Sequence, residues 1–264
     1  MRKGIYFSFL PGESVEEKFA VAAELGFDCV ELPTLSEAGD FKRYRKAAKR
    51  AGLSIPSVMN SRHWELPLSD PDPEVRKASC KALLQSLKTA VELGADTVLL
   101  VPALVKPEVT YEEAWERSCL AIELLLPAFE SEKVCLAIEN VGNKFLLSPI
   151  EMCSYIDDFA SPYLKAYFDV GNICRYGYPQ HWIRSLGPRL QKVHIKGFDS
   201  QAQKFTDDLL GGDIHWPEVC KALQEVAYND VLIAELRGKG DSPRQQIQNI
   251  SADMDQIIRD NFGH

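Results

Sequence analysis

Short, nearly continuous apolar runs alternate along the chain with longer stretches in which apolar side chains recur every third or fourth position. The first rhythm belongs to strands covered on both faces, the second to helices with one apolar stripe. Strands are predicted at Gly4–Phe9, Asp28–Leu32, Leu53–Met59, Thr97–Val101, Val134–Glu139, Leu164–Asp169, Leu190–His194 and Val231–Glu235. Helices are predicted at Ser14–Leu25, Phe41–Ala51, Pro73–Leu93, Tyr111–Glu130, Pro149–Phe159, Trp182–Leu186, His215–Ala227 and Pro243–Asn261. Ser14 with Glu17 and Thr110 with Glu113 have capping-box spacing, Ser148 precedes a proline at a first helical position, and Gly26, Gly52 and Gly94 are stop signals. Strands alternating with helices imply a parallel sheet with right-handed crossovers. Eight such units in 264 residues, with no linker or shift of composition, match an α/β (β/α)8 TIM barrel, a single domain over residues 1–264. An open dinucleotide-binding sheet would need a glycine-rich turn after an early strand, and Leu10-Pro-Gly-Glu13 is not one.

Composition narrows the partners. A hydrophobic content of 45% with 26% charged residues is that of a globular protein with a large core. The net charge of −8 argues against a nucleic-acid backbone and leaves a small neutral ligand as the better fit. The seven cysteines are scattered, without a C-x-x-C pair, and read as reduced core thiols of a cytoplasmic protein. No apolar run reaches the length of a membrane span, so no membrane association is expected. The long loop from Asn60 to Pro73 carries His63 and Trp64; on a barrel it lies on the catalytic face, as a lid or pocket wall.

Four of the predicted strands end in chemistry. Glu139, Asp169, His194 and Glu235 close the fifth to eighth apolar runs. A charge at the end of a core strand costs several kcal/mol unless it is paired or bound to a cation. In a barrel these four ends lie along one arc of the rim, so the side chains converge. Three carboxylates and an imidazole suit one divalent ion such as Mn²⁺, Mg²⁺, Co²⁺ or Zn²⁺ rather than copper or a thiolate-held cluster, and leave coordination positions open.

The segments Ala137-Ile-Glu-Asn140, Phe168-Asp-Val-Gly-Asn172, Lys192-Val-His-Ile-Lys196, Gly211-Gly-Asp-Ile-His-Trp216 and Ala234-Glu235 resemble the xylose-isomerase-like TIM-barrel family, over nearly the whole chain. Within it the likeness is to sugar isomerases and epimerases of the ketose 3-epimerase and hydroxypyruvate isomerase type. The resemblance implies one divalent ion on Glu139, Asp169, His194 and Glu235. It further implies proton abstraction next to a carbonyl through a metal-stabilised enediolate, with Glu139 and Glu235 as the catalytic pair on opposite faces of a sugar.

This chain departs from that pattern where a substrate would be held. Asn172 replaces the usual histidine, Ser200 the usual arginine and Phe145 a second glutamate, which points away from a simple free ketohexose. His63, Trp64, Asn172, Lys144, Lys196 and Arg237 are the expected substrate-binding residues, with Tyr6 and Phe7 as further stacking surfaces and Trp216 structural. A lyase of the inosose, dehydroshikimate or keto-glycoside type would start with the same proton abstraction, and a non-catalytic sugar-binding barrel is a third reading. A trinuclear zinc nuclease of the endonuclease IV type would need more histidines at strand ends than five in the chain allow. The resemblance also implies a homodimer or homotetramer.

Overall fold

The computed structural model describes residues 1–263. The eight apolar runs pair as a closed parallel barrel: β1 (Arg2–Tyr6), β2 (Cys29–Pro33), β3 (Ser57–Met59), β4 (Thr97–Leu100), β5 (Cys135–Glu139), β6 (Leu164–Asp169), β7 (Leu190–Ile195) and, after the short antiparallel hairpin of β8 (Gly197–Asp199) and β9 (Lys204–Thr206), β10 (Val231–Ala234). β1 closes the cylinder onto β10, with Gly4 opposite Ile233. Around it run α1 (Val15–Glu24), α2 (Ala38–Ala51), α3 (Pro73–Leu93), α4 (Tyr111–Glu132), α5 (Pro149–Asp157), the single turn α6 (Val170–Ile173), α7 (Pro179–Leu186), α8 (Trp216–Glu225) and α9 (Pro243–Phe262).

Local chemistry sets the helix ends. Reciprocal capping boxes form at Ser14 with Glu17, Thr110 with Glu113 and Ser148 with Glu151. Gly52 and Gly94 end α2 and α3 in the left-handed region, at φ 73° and 75°. Three predicted bounds shift for identifiable reasons. β1 stops at Tyr6 because Phe7–Phe9 coils into a 3₁₀ turn. β3 begins only at Ser57, since Pro56 has no N–H to give the ladder, and Ser54 makes an isolated bridge to Cys29. The helix expected from Trp182 starts three residues earlier, with Pro179 at its first position. The β8–β9 hairpin was not predicted.

Apolar side chains fill two compartments. The larger lies between sheet and helices; the smaller, inside the barrel, is made by Cys29, Leu99, Ala137, Tyr167, Val231 and Ile233. At the N-terminal end of the barrel Lys192, 1% exposed, places its ammonium 2.5 Å from Asp230 and 2.9 Å from Asp96. Arg2 also pairs with Asp230. The opposite end, where β5, β6 and β7 finish, is polar and open. No helix among the described residues is long and apolar enough to cross a membrane.

Candidate metal centre and active site

Strand register brings the predicted ligands together. Glu139 is the last residue of β5, Asp169 the last of β6, and Asp169 stands opposite His194 in the β6–β7 ladder. Glu235 lies one residue past β10, its backbone N–H still donating to the Ile195 carbonyl at 3.0 Å. One ligand atom from each of Glu139, Asp169, His194 and Glu235 lies within 4.8 Å of all the others. His194 turns Nδ1 to this group, 3.2 Å from Glu139 Oε1, 3.8 Å from Glu235 Oε2 and 4.0 Å from Asp169 Oδ2.

Asp169 is anchored through its neighbours. Its N–H donates to Asn140 Oδ1 at 2.8 Å, its carbonyl accepts from Asn140 Nδ2 at 2.9 Å, and its Oδ1 accepts the Asn172 N–H at 2.8 Å. Its other oxygen, Oδ2, is buried and accepts no well-aligned hydrogen bond; Lys196 Nζ stands 2.9 Å away as a charge partner only. Lys196 Nζ also lies 2.5 Å from Glu235 Oε2. A buried carboxylate oxygen with only a misaligned ammonium beside it, facing two further carboxylates and an imidazole nitrogen, fits a divalent cation of the Mn²⁺, Mg²⁺, Co²⁺ or Zn²⁺ group.

The two glutamates sit in opposed electrostatic environments. Burial pushes the Glu139 carboxyl up to about 7, with the His194 hydrogen bond opposing and Glu235 repulsion adding. Burial would raise Glu235 as well, but His194 and Lys196 hold it below its ordinary value. Asp169 is raised, chiefly by burial, against the pull of Lys196. Burial alone would lower His194, yet the carboxylates of Glu31 and Glu235 keep it well above the usual imidazole value.

Glu31, near the end of β2, was not among the expected site residues. Its side chain is fully buried, with Oε2 2.7 Å from His194 Nε2; Oε1 accepts from Tyr167 OH at 2.7 Å and Ser57 Oγ at 2.8 Å. The sequence held a sign of it, a lone glutamate inside the apolar run Cys29-Val-Glu-Leu32.

A cavity of about 360 Å³ opens over this cluster, lined by Glu139, Glu235 and Lys196 and by His63, Trp64, Asn172, Met59, Val141, Gly142, Arg175, Tyr176 and Phe205. Four of the six expected substrate residues are therefore here. His63 is 3% exposed, accepts a long 3.5 Å hydrogen bond from the Val101 N–H at Nδ1, and is pushed by burial down to about 4, which leaves it neutral at neutral pH. Trp64 stands edge-on to it and half exposed. The Asn172 amide donates to the Asn140 carbonyl at 2.9 Å, so part of its capacity is committed to the scaffold. Lys144 and Arg237 do not line the cavity. Lys144 is exposed on a turn whose buried side chains are Asn143 and Phe145, and Arg237 is exposed between buried Leu236 and Gly238. Phe145 packs on Tyr111, Trp115 and Tyr155. Phe7 is buried in the outer core, and Trp216 is tied by Nε1 to the Leu209 carbonyl at 2.8 Å. Arg175 and Phe205, which sequence reading missed, meet across the mouth, with the guanidinium 5.0 Å from the ring centre.

The chain belongs to the xylose isomerase-like TIM-barrel family, whose sequence profile matches residues 19–257. A provisionally named L-ribulose-5-phosphate 3-epimerase of Escherichia coli, SgbU, is 26% identical over 252 residues, covering 88% of this chain and 87% of the relative. Among solved structures, a D-psicose 3-epimerase crystallised in the presence of D-fructose superposes with TM-score 0.80 at 20% identity, over the full length of both chains. The 3-keto-D-glucoside 4-epimerase YcjR of E. coli superposes with TM-score 0.83 at 16% identity, over 97% of this chain and 98% of that one. At these identities the two structures establish a common fold.

Proposed function

We propose that the protein is a divalent-metal-dependent sugar epimerase or isomerase that moves a proton on the carbon beside a carbonyl. The observation that carries this reading is the cluster of Glu139, Asp169, His194 and Glu235, whose ligand atoms lie within 4.8 Å of one another beneath a cavity that Glu139 and Glu235 both line. Glu139, Asp169, His194 and Glu235 would hold the ion, and Mn²⁺ best matches the donor set. When bound, the ion supplies Lewis-acid polarisation of the sugar carbonyl.

The protein's own groups account for the proton traffic. Glu235, ionised, takes the proton from the carbon, and the electron pair left behind delocalises onto the carbonyl oxygen. Glu139 returns a proton to the same carbon from the other face, which inverts the centre. Return to the neighbouring carbon gives the aldose–ketose isomer instead. His63, Asn172 and Lys196 are placed to bind substrate oxygens, while Trp64 and Phe205 exclude water from the sugar's apolar face. A cavity of this size suits one sugar unit. The name of the E. coli relative, a pentulose-phosphate 3-epimerase, agrees with a sugar or sugar-phosphate substrate.

The test is to incubate the Mn²⁺-supplied protein in D₂O with ketoses, ketose phosphates, keto-glycosides and inososes. Deuterium entering carbon without loss of water mass is the expected result. Dehydration products would convert the assignment to a lyase, and metal binding with no exchange into any ligand would leave a binding barrel.

A further inference from the structure

The candidate ligand His194 is fully buried, and its two ring nitrogens face different partners. Nδ1 faces the carboxylate cluster, whereas Nε2 is 2.7 Å from Glu31 Oε2, a carboxylate on the far side of the ring from the cavity. Glu31 is itself fully buried and absent from the cavity lining, so it reaches neither the cluster nor a ligand in the cavity. We infer that Glu31 is a positioning residue: it holds the proton of His194 on Nε2 and so keeps the Nδ1 lone pair directed at the metal cluster. This rests on the metal reading above.

The arrangement around Glu31 leaves it one role at that oxygen. Tyr167, on β6 across the barrel, and Ser57, on the neighbouring β3, both donate to Oε1. Their hydroxyls are 3.2 Å apart and carry one hydrogen each, so if either turns to the other, the second still donates to Glu31. With Oε1 served by two donors, Oε2 faces only the imidazole nitrogen, and a carboxylate there accepts. An acceptor at 2.7 Å keeps an N–H on Nε2, so the proton that a metal ion would displace from the ring is the one on Nδ1, and Nδ1 becomes the donor nitrogen. Tyr167 also packs its ring 4.5 Å from the imidazole centroid, which restrains rotation of His194 about its bond to the backbone. A carboxylate on the outer nitrogen raises the basicity of the inner one as a metal donor.

Glu31→Gln separates this role from mere packing, because it is isosteric. If the amide oxygen stays with Tyr167 and Ser57, the amide NH₂ faces Nε2, favours the other tautomer and puts a hydrogen on Nδ1 where the ion must sit. The expected result is Mn²⁺ affinity weaker by about 10- to 100-fold by titration calorimetry, with an unchanged circular dichroism spectrum. Tyr167→Phe, which removes one donor but leaves the carboxylate, should change the affinity several-fold less. A second measurement needs no variant: in the Zn²⁺-loaded wild type, ¹⁵N chemical shifts of His194 should show a protonated Nε2 and an unprotonated, metal-bound Nδ1. Wild-type Mn²⁺ affinity in Glu31→Gln, or a proton found on Nδ1 with Nε2 bare, overturns Glu31's role while leaving the metal site standing. Failure of the wild type to bind Mn²⁺ or Zn²⁺ overturns this inference and the metal reading together.

Discussion

Glu139 and Glu235 have the same chemistry in solution and different chemistry here, because burial dominates one and the cations His194 and Lys196 dominate the other. Each transfers a proton in the proposed reaction, so Glu139→Gln and Glu235→Gln should each lower turnover by about 10²–10⁴-fold, read as deuterium exchange into substrate, with the melting temperature little changed or raised. Near-wild-type turnover in either variant would remove that residue from the pair. Asp169→Asn removes the orphaned oxygen's charge, and we expect calorimetry to show weakened Mn²⁺ binding; unaltered affinity would take Asp169 out of the ligand set. The four cluster residues were legible because each puts a charge at the end of an apolar run, an anomaly visible without coordinates. Glu31 carries the same anomaly but sits one place inside its run, where a paired core charge and a site residue look alike. Lys144 and Arg237 show the converse failure: they follow the right strands, yet alternation of buried and exposed positions in their loops turns them outward.

At the scale of elements, the helices were the easiest to read, since capping residues and terminal glycines are local. Ser148→Ala should lower stability by about 1 kcal/mol in chemical denaturation, because it removes the acceptor for the Glu151 N–H at the start of α5; no change would mean another group caps that turn. The β8–β9 hairpin was illegible because its strands are three residues long and its pairing depends on close packing that no periodicity records. A side chain at Gly197 would collide with Thr206 Oγ1 and the Asp208 carbonyl. Gly197→Ala should therefore displace Phe205 from the cavity wall and raise KM more than it lowers kcat, which steady-state kinetics would register; equal kinetic constants would show that the wall is not used. The loop after this hairpin meets α9 through Asp208 and Asp253, and burial together with Asp208 pushes the Asp253 carboxyl up to about 6. The folded state thus keeps a proton that the unfolded chain loses near pH 4, so stability should decline as pH rises from 4 to 6. After discounting for solvent at this half-exposed site the effect is about 1 kcal/mol. Asp253→Asn should make that slope shallower by its share, since the raised Glu139 and Asp169 carboxyls add to it; denaturation curves identical in pH dependence to wild type would show that Asp253 keeps no proton.

For the whole molecule, the count and order of strands were enough to specify a closed barrel, since eight alternating units have few other ways to cover both faces of a parallel sheet. Which residues line its mouth was only half legible, because loops rather than strands build the walls. The closed end behaves differently. Lys192 there pairs with Asp230 and Asp96, and Lys192→Ala should cost about 2–4 kcal/mol of stability, chiefly through the void left by a buried side chain, with Asp230 keeping Arg2 as its cation. Mn²⁺ affinity should be unaffected; a parallel loss of affinity would show that the two ends are coupled.

That ion-paired plug at the foot of the cylinder shares no residue with the basin at its head. Keeping the cylinder shut and choosing which molecule enters are thus assigned to different sets of amino acids, and the lip, with Trp64, Arg175 and Phe205, can be rewritten for another guest while the foundation is left as it stands.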